Sequence, residues 1–277
     1  MRIELSVDLN ATLGCGQAHR WLKKDGRWEG VLEDKIVTLE QRKNGFECEG
    51  TSDKEMILSY FRAEDDLDEI YDDLSKTDPH MARLTGACPG LRILRQDPWE
   101  CTATYLLAVN ANVKRIGSMV ESVCREFGRD LGGRFSFPRP EEIDGGCGDI
   151  CRCRLGYREG RFLKLAGSVR SGDHDPLSLT GLDYRSCRKK LMGIEGIGPK
   201  VADCISLFAY GHMEAFPVDA RISRLMKDIY GVSGNYSEVA DEGRRRFGKY
   251  PGYAQELLYH SAIIFTSQAQ DGGLHPV

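Results

Sequence analysis

The stretch that most constrains this chain is Gly193-Ile-Glu-Gly196-Ile-Gly198-Pro-Lys200, which places three glycines within six residues. A basic helical run, Tyr184 to Leu191, precedes it. After it, Val201, Ile205 and Phe208 recur at helical spacing until Gly211 can end the element. Glycine admits positive φ and close backbone approach, and Pro199 suits the first turn of a helix. The reading is helix, tight glycine hairpin, helix. Such a hairpin presents free backbone N–H groups at a helix N-terminus, which is a phosphate site.

Lys200 stands one residue inside the second helix, and Asp219, in Phe216-Pro-Val-Asp219-Ala-Arg221, stands at the start of the next. A lysine attacks carbon only when neutral, and the positive end of a helix with partial burial is expected to lower its pKa. The plain alternative is a solvated helix lysine. Asp219 reads equally well as an N-cap, which would also keep the carboxylate ionised beside a developing cation.

The net charge of −4 does not suggest a nucleic-acid partner, but it is unevenly spread. Residues 1–82 carry 11 Lys+Arg against 19 Asp+Glu, and residues 83–277 carry 27 against 23. The part that holds the hairpin is therefore mildly basic, as phosphate binding requires. The acidic run Glu64 to Asp73 reads as a solvated helix face. No apolar run reaches the ~18 residues of a membrane span. With no export signal in Met1-Arg-Ile-Glu-Leu, the ten cysteines read as reduced thiols. A cytoplasmic protein is expected, or a nuclear one in a eukaryote.

Ile3, Leu5, Val7 and Leu9 alternate with polar residues, the period of a half-buried strand. Asp25-Gly26 and Asn44-Gly45 are hairpin signals between short apolar runs, so the first fifty residues read as an antiparallel meander. Helices are expected from Ser52-Asp53 through Phe61 and over Leu67 to Leu74. Beyond about residue 80 the pattern is helical: Asp97-Pro98 opens a helix through Leu107, and Val113 to Phe127 forms a stripe closed by Gly128. Helices are also expected near Tyr157 to Val169, after Asp219, and over Tyr253 to Phe265. The fold class is α+β, with an N-terminal antiparallel sheet domain over 1–82 and a helical domain over 83–277.

The hairpin, the lysine two residues later and the Pro217-Val218-Asp219 about twenty residues on together resemble the helix-hairpin-helix glycosylases of DNA repair. Gly16-Gln17-Ala-His-Arg20-Trp21, Leu94-Arg-Gln-Asp97-Pro98-Trp, Asn110-Ala-Asn112, Leu155-Gly-Tyr157-Arg158 and Tyr253-Ala-Gln255 narrow the resemblance to the 8-oxoguanine glycosylase (Ogg) branch, over nearly the whole chain. The resemblance implies a bifunctional DNA glycosylase/AP lyase acting on duplex DNA that contains oxidised guanine, as a monomer. Lys200 would be the nucleophile on C1′ and Asp219 its carboxylate partner. The Gly16 carbonyl would accept the N7 hydrogen that guanine lacks. Cys204 and Tyr259 would sandwich the flipped base and Gln255 would bond its pairing edge. Asn110, Arg115, Tyr157 and Arg158 would fill the gap and hold the orphaned cytosine, while Gly196 and Gly198 grip the backbone. The chain departs from the animal pattern at Ala111, at Arg221 (usually histidine) and at Tyr259 (usually phenylalanine).

Cys147, Cys151 and Cys153 lie close together, but they lack the paired gaps of common zinc sites, so no metal site is expected. No cysteine follows Cys204, which excludes a C-terminal iron–sulfur cluster. No cofactor is required, although related hairpins hold a monovalent cation between their carbonyls and a phosphate. Two other readings stay open: a glycosylase for another damaged base, and a catalytically silent DNA-binding module.

Overall fold

A computed structural model describes the backbone of residues 1–143 and 147–270, with side chains except at 147–149 and 262–270. Five strands come early: β1 (Arg2–Glu4), β2 (Leu22–Lys24), β3 (Arg27–Leu32), β4 (Lys35–Arg42) and β5 (Gly45–Glu49). They form one antiparallel sheet in the order β1-β5-β4-β3-β2. Two-residue turns at Asp25-Gly26 and Glu33-Asp34 have positive φ throughout, which matches the twist of the strands they join.

The first strand is shorter than its alternation predicts. It stops at Glu4, and Asp8 opens helix α1 (Leu9–Gly14) by accepting hydrogen bonds from the Asn10 and Ala11 N–H groups at 2.8 and 3.0 Å. The apolar residue Leu9 enters the sheet's core from a helix rather than from a strand. A local cap has overridden the period of 2.

Helices follow: α2 (Lys54–Tyr60), α3 (Leu67–Thr77), α4 (Pro79–Ala87), α5 (Pro98–Leu107), α6 (Val113–Phe127), α7 (Cys147–Arg152), α8 (Glu159–Ser171), α9 (Tyr184–Met192), α10 (Pro199–Phe208), α11 (Ala220–Tyr230), α12 (Tyr236–Arg246) and α13 (Pro251–Gln270). Helix α12 carries no strong apolar stripe, and its signal is instead a reciprocal capping box between Asn235 and Glu238. Among the described residues no helix is long and apolar enough to cross a membrane.

Two apolar cores divide the work. The smaller joins Ile3, Val37, Leu39 and Phe46 of the sheet to Ile57 and Phe61 beside it. The larger runs through the helices from α3 to α13. Gln17 fastens the two together. Its side chain donates to the Thr12 and Arg92 carbonyls at 3.0 and 2.8 Å and accepts from the Leu94 N–H at 2.8 Å. Its own carbonyl accepts from Gln96 Nε2 and the Tyr105 hydroxyl. A buried amide with every bond made holds one geometry, and that geometry fixes the turn carrying Gly16.

Candidate active site

The hairpin forms as its glycines require, though each glycine serves differently. Gly196 has φ +92°, and a Cβ there would lie 2.7 Å from Arg161 Cδ and 2.9 Å from Leu106 Cδ1. Gly198 is the N-cap of α10, with extended backbone and open space around its α-carbon. Gly196 therefore lets the hairpin pack on α5 and α8, and Gly198 leaves the helix N-terminus open to a phosphate.

Behind the hairpin, Asp203 of α10 is wholly buried. It accepts from the Tyr184 hydroxyl at 2.7 Å, from Arg188 Nε at 2.6 Å and from the Tyr236 hydroxyl, with Arg244 at 3.9 Å. One carboxylate thus ties α9, α10 and α12 into a frame for the residues that α10 turns the other way.

That other face opens on a cavity of about 280 Å³. Lys200, Asp219, Gly16, Cys204, Gln255 and Tyr259 all line it, drawn from four separate places in the chain. Gly16 has φ +91°, a backbone that L side chains rarely adopt. Cys204 and Gln255 are each 4% exposed, and the Gln255 Oε1 atom has no protein partner. The Arg221 guanidinium lies over the Tyr259 ring, 4.5 Å from its centroid.

Lys200 Nζ lies over the ring of Tyr105, 5.4 Å from the centroid. Its pKa is raised, not lowered as the helix position suggests. The Cys204 sulfur is the first cause, and Asp219 adds to it, while burial works in the opposite direction. Two groups that favour the cation outweigh one helix end. Cys204 itself is pushed up to about 11 by burial, against the pull of Lys200. Asp219 caps α11, accepting from the Ile222 N–H at 2.8 Å. Burial and then the charge of Lys200 hold His19 down to about 4.

Asn110, Arg115, Tyr157 and Arg158 do not line the cavity, but they meet beside its mouth, next to Ala111 and Asn112. Asn110 has φ +51°. The Tyr157 hydroxyl donates to the Val109 carbonyl at 3.0 Å, and its side chain is exposed. Arg158 is buried, and its guanidinium spans the Val109 and Asn110 carbonyls. Arg115 donates to the Arg154 carbonyl. Arg158 thus holds the turn that carries Asn110, and Arg115 ties α6 to the segment around Arg154.

Sequence reasoning missed Glu256, a second carboxyl in the cavity wall and a buried one. Its helix neighbours Gln255, Leu257 and Leu258 are buried on several faces, and that was the available signal. It also gave Asp203 no role. A larger cavity of about 740 Å³ beyond His19 contains none of the expected site residues. Among the described residues no group of three or more His, Cys, Asp or Glu could hold a metal. The cysteine cluster includes Cys147, whose side chain lies outside the described residues.

A glycine hairpin, a lysine one residue into its second helix and a capping aspartate facing the same base-sized cavity define the class of helix-hairpin-helix DNA glycosylases. The family model for the 8-oxoguanine DNA glycosylase N-terminal domain matches residues 2–102. The N-glycosylase/DNA lyase OGG1 of Arabidopsis thaliana is 32% identical, over 92% of this chain and 77% of that protein. The N-glycosylase/DNA lyase of Saccharomyces cerevisiae is 27% identical over 79% and 69%. Among solved structures, the 8-oxoguanine glycosylase/lyase of Clostridium acetobutylicum, bound to duplex DNA with cytosine opposite 8-oxoguanine, superposes with a TM-score of 0.89 at 25% identity, covering 96% of this chain and 98% of that one. MBOgg1 bound to a low-affinity DNA ligand superposes with a TM-score of 0.90 at 29% identity, over 95% and 94%. The chain belongs to the 8-oxoguanine DNA glycosylase (Ogg) family.

Proposed function

We propose that this protein is a bifunctional glycosylase/lyase that flips 8-oxoguanine out of duplex DNA, excises it, and cleaves the strand 3′ to the site. One observation carries the reading: the amine, the carboxylate and the base-contacting residues, from four parts of the chain, open onto one cavity. The neutral amine of Lys200 forms a bond to C1′ while the electron pair of the glycosidic bond leaves with the base. Asp219, anchored as a helix cap, stabilises the positive charge that develops on the sugar. Opening of the sugar gives a Schiff base, and loss of a 2′ proton then expels the 3′ phosphate.

The Gly16 carbonyl selects for the N7 hydrogen of the lesion, because guanine would leave a buried acceptor unpaired. Cys204 and Tyr259 cover the faces of the base, and Gln255 bonds its edge through groups that include the unpartnered Oε1. Tyr157 enters the gap, and Asn110 meets the opposite cytosine together with Arg115 and Arg158, once DNA replaces the arginines' present carbonyl partners. Gly196 and Gly198 present the hairpin to a phosphate, where a monovalent cation can bridge its carbonyls to the backbone. No further cofactor is needed.

Borohydride reduction of a mixture with 8-oxoguanine:cytosine duplex should trap a covalent adduct. Lys200→Gln should abolish it, and Lys227→Gln, on the exposed face of α11, should not. Binding of that duplex without any adduct would overturn the reading.

A further inference from the structure

We infer that Glu256 is the proton acceptor for Lys200: its carboxylate takes the proton that the lysine must lose before its amine attacks C1′. The inference rests on the reading of Lys200 as the nucleophile. Glu256 follows Gln255 in α13 and lines the same cavity as Lys200. It is 4% exposed, and its Oε2 atom has no hydrogen-bond partner. A buried carboxyl with an idle oxygen is costly, and such groups are found where chemistry uses them.

The charged and titratable neighbours leave few other acceptors. From the end of α1, the Cys15 thiol donates to the Thr12 carbonyl, and burial pushes it far up. The segment beyond it brings His19, neutral at ordinary pH and a weak base at about 4. The Tyr105 hydroxyl from α5 is committed to the Gln17 carbonyl. From α10, Cys204 keeps its proton up to about 11. Asp219 is committed as the cap of α11, and Arg221 and Tyr259 lie against each other. Glu256 is raised to about 7, by burial first and by Asp219, against Cys15 and Lys200.

A flipped base entering the cavity expels water. Desolvation then lowers the lysine and raises the carboxyl, so the two affinities converge. The proton moves from Nζ to Glu256, and the nitrogen lone pair bonds to C1′. The glycosidic pair leaves with the base, and the departing base takes the same proton back from the carboxyl. The ledger closes with Glu256 ionised again.

The test is single-turnover excision of 8-oxoguanine between about pH 6 and about pH 9 by the wild type and by Glu256→Gln. The wild type should rise to a plateau above about pH 7. The variant should be about 100-fold slower near neutrality. Its rate should then climb about tenfold per pH unit, because solvent must now take the lysine proton. A parallel loss at every pH, or no loss, overturns the assignment. If the variant does not fold, the wild type still decides. Its limb near pH 7 must appear in incision of a preformed abasic site as well, since that step also needs a neutral amine, and its absence there overturns the assignment. Failure of the wild type to form any borohydride adduct would instead remove the underlying reading of Lys200.

Discussion

Asp203 and Cys204 are neighbours in α10 but face different interiors, and each interior holds one buried carboxyl from outside the sheet. Behind the hairpin, Asp203 is surrounded by two tyrosine hydroxyls and two guanidinium groups. In the cavity in front, Glu256 keeps one oxygen without a partner and is pushed up to about 7. A buried charge that is fully bonded fixes three helices relative to one another. A buried carboxyl that is left short of partners exchanges protons. The first is a frame for the helix that carries Lys200, and the second a reagent beside it.

The largest effect should come from breaking the frame. Asp203→Ala leaves Arg188 and Arg244 with no shared anion, and should destabilise the fold by about 3–5 kcal/mol. Thermal or urea unfolding checks this, and a loss below about 1 kcal/mol would remove the distinction. On the cavity side, Asp219→Asn keeps a good N-cap, so the melting point should hardly move. Excision should nonetheless fall by about 100-fold or more; a fall in stability with activity intact would make Asp219 only a cap.

Glu256→Gln should act on stability in the opposite sense to Asp203→Ala. An acid whose folded pKa lies above its unfolded value binds more protons when folded. Its cost therefore grows as pH rises from about 4.5 to about 7 and stays constant above. The Gln variant should be more stable than the wild type at pH 8, by up to about 3 kcal/mol, with the gap closing toward pH 5. A gap independent of pH would contradict the raised carboxyl. The smallest effect is at Gly16→Ala, where φ +91° imposes about 1–2 kcal/mol of strain. Discrimination between 8-oxoguanine and guanine should weaken with it, as paired single-turnover rates would show.

The sequence carried much of this because its signals were local. The Gly193–Gly198 hairpin, Pro199 at the start of α10, and Asp97-Pro98 at the start of α5 are all punctuation that a short window contains. Leu9 was misread because strand alternation and a helix cap coincided over the same few residues, and the cap won. The direction of the Lys200 shift was not legible: Cys204 stands one turn on in the same helix, but Asp219 is brought beside the lysine only by the fold. Glu256 was hidden for a similar reason: a glutamate in a helix ordinarily faces water, and only the packing of α13 against α4, α11 and α12 puts this one inside. Arg158 reads as a surface charge in the chain, yet the turn at Val109 and Asn110 draws it in.

Lys200 is proposed as the single amine that does the chemistry on the sugar. The most direct measurement reduces the reaction on an 8-oxoguanine:cytosine duplex with borohydride, digests the adduct with a protease and locates the modified residue by mass spectrometry. The account predicts the deoxyribose remnant on Nζ of Lys200. A remnant on any other lysine, or on the N-terminal amine, would contradict it.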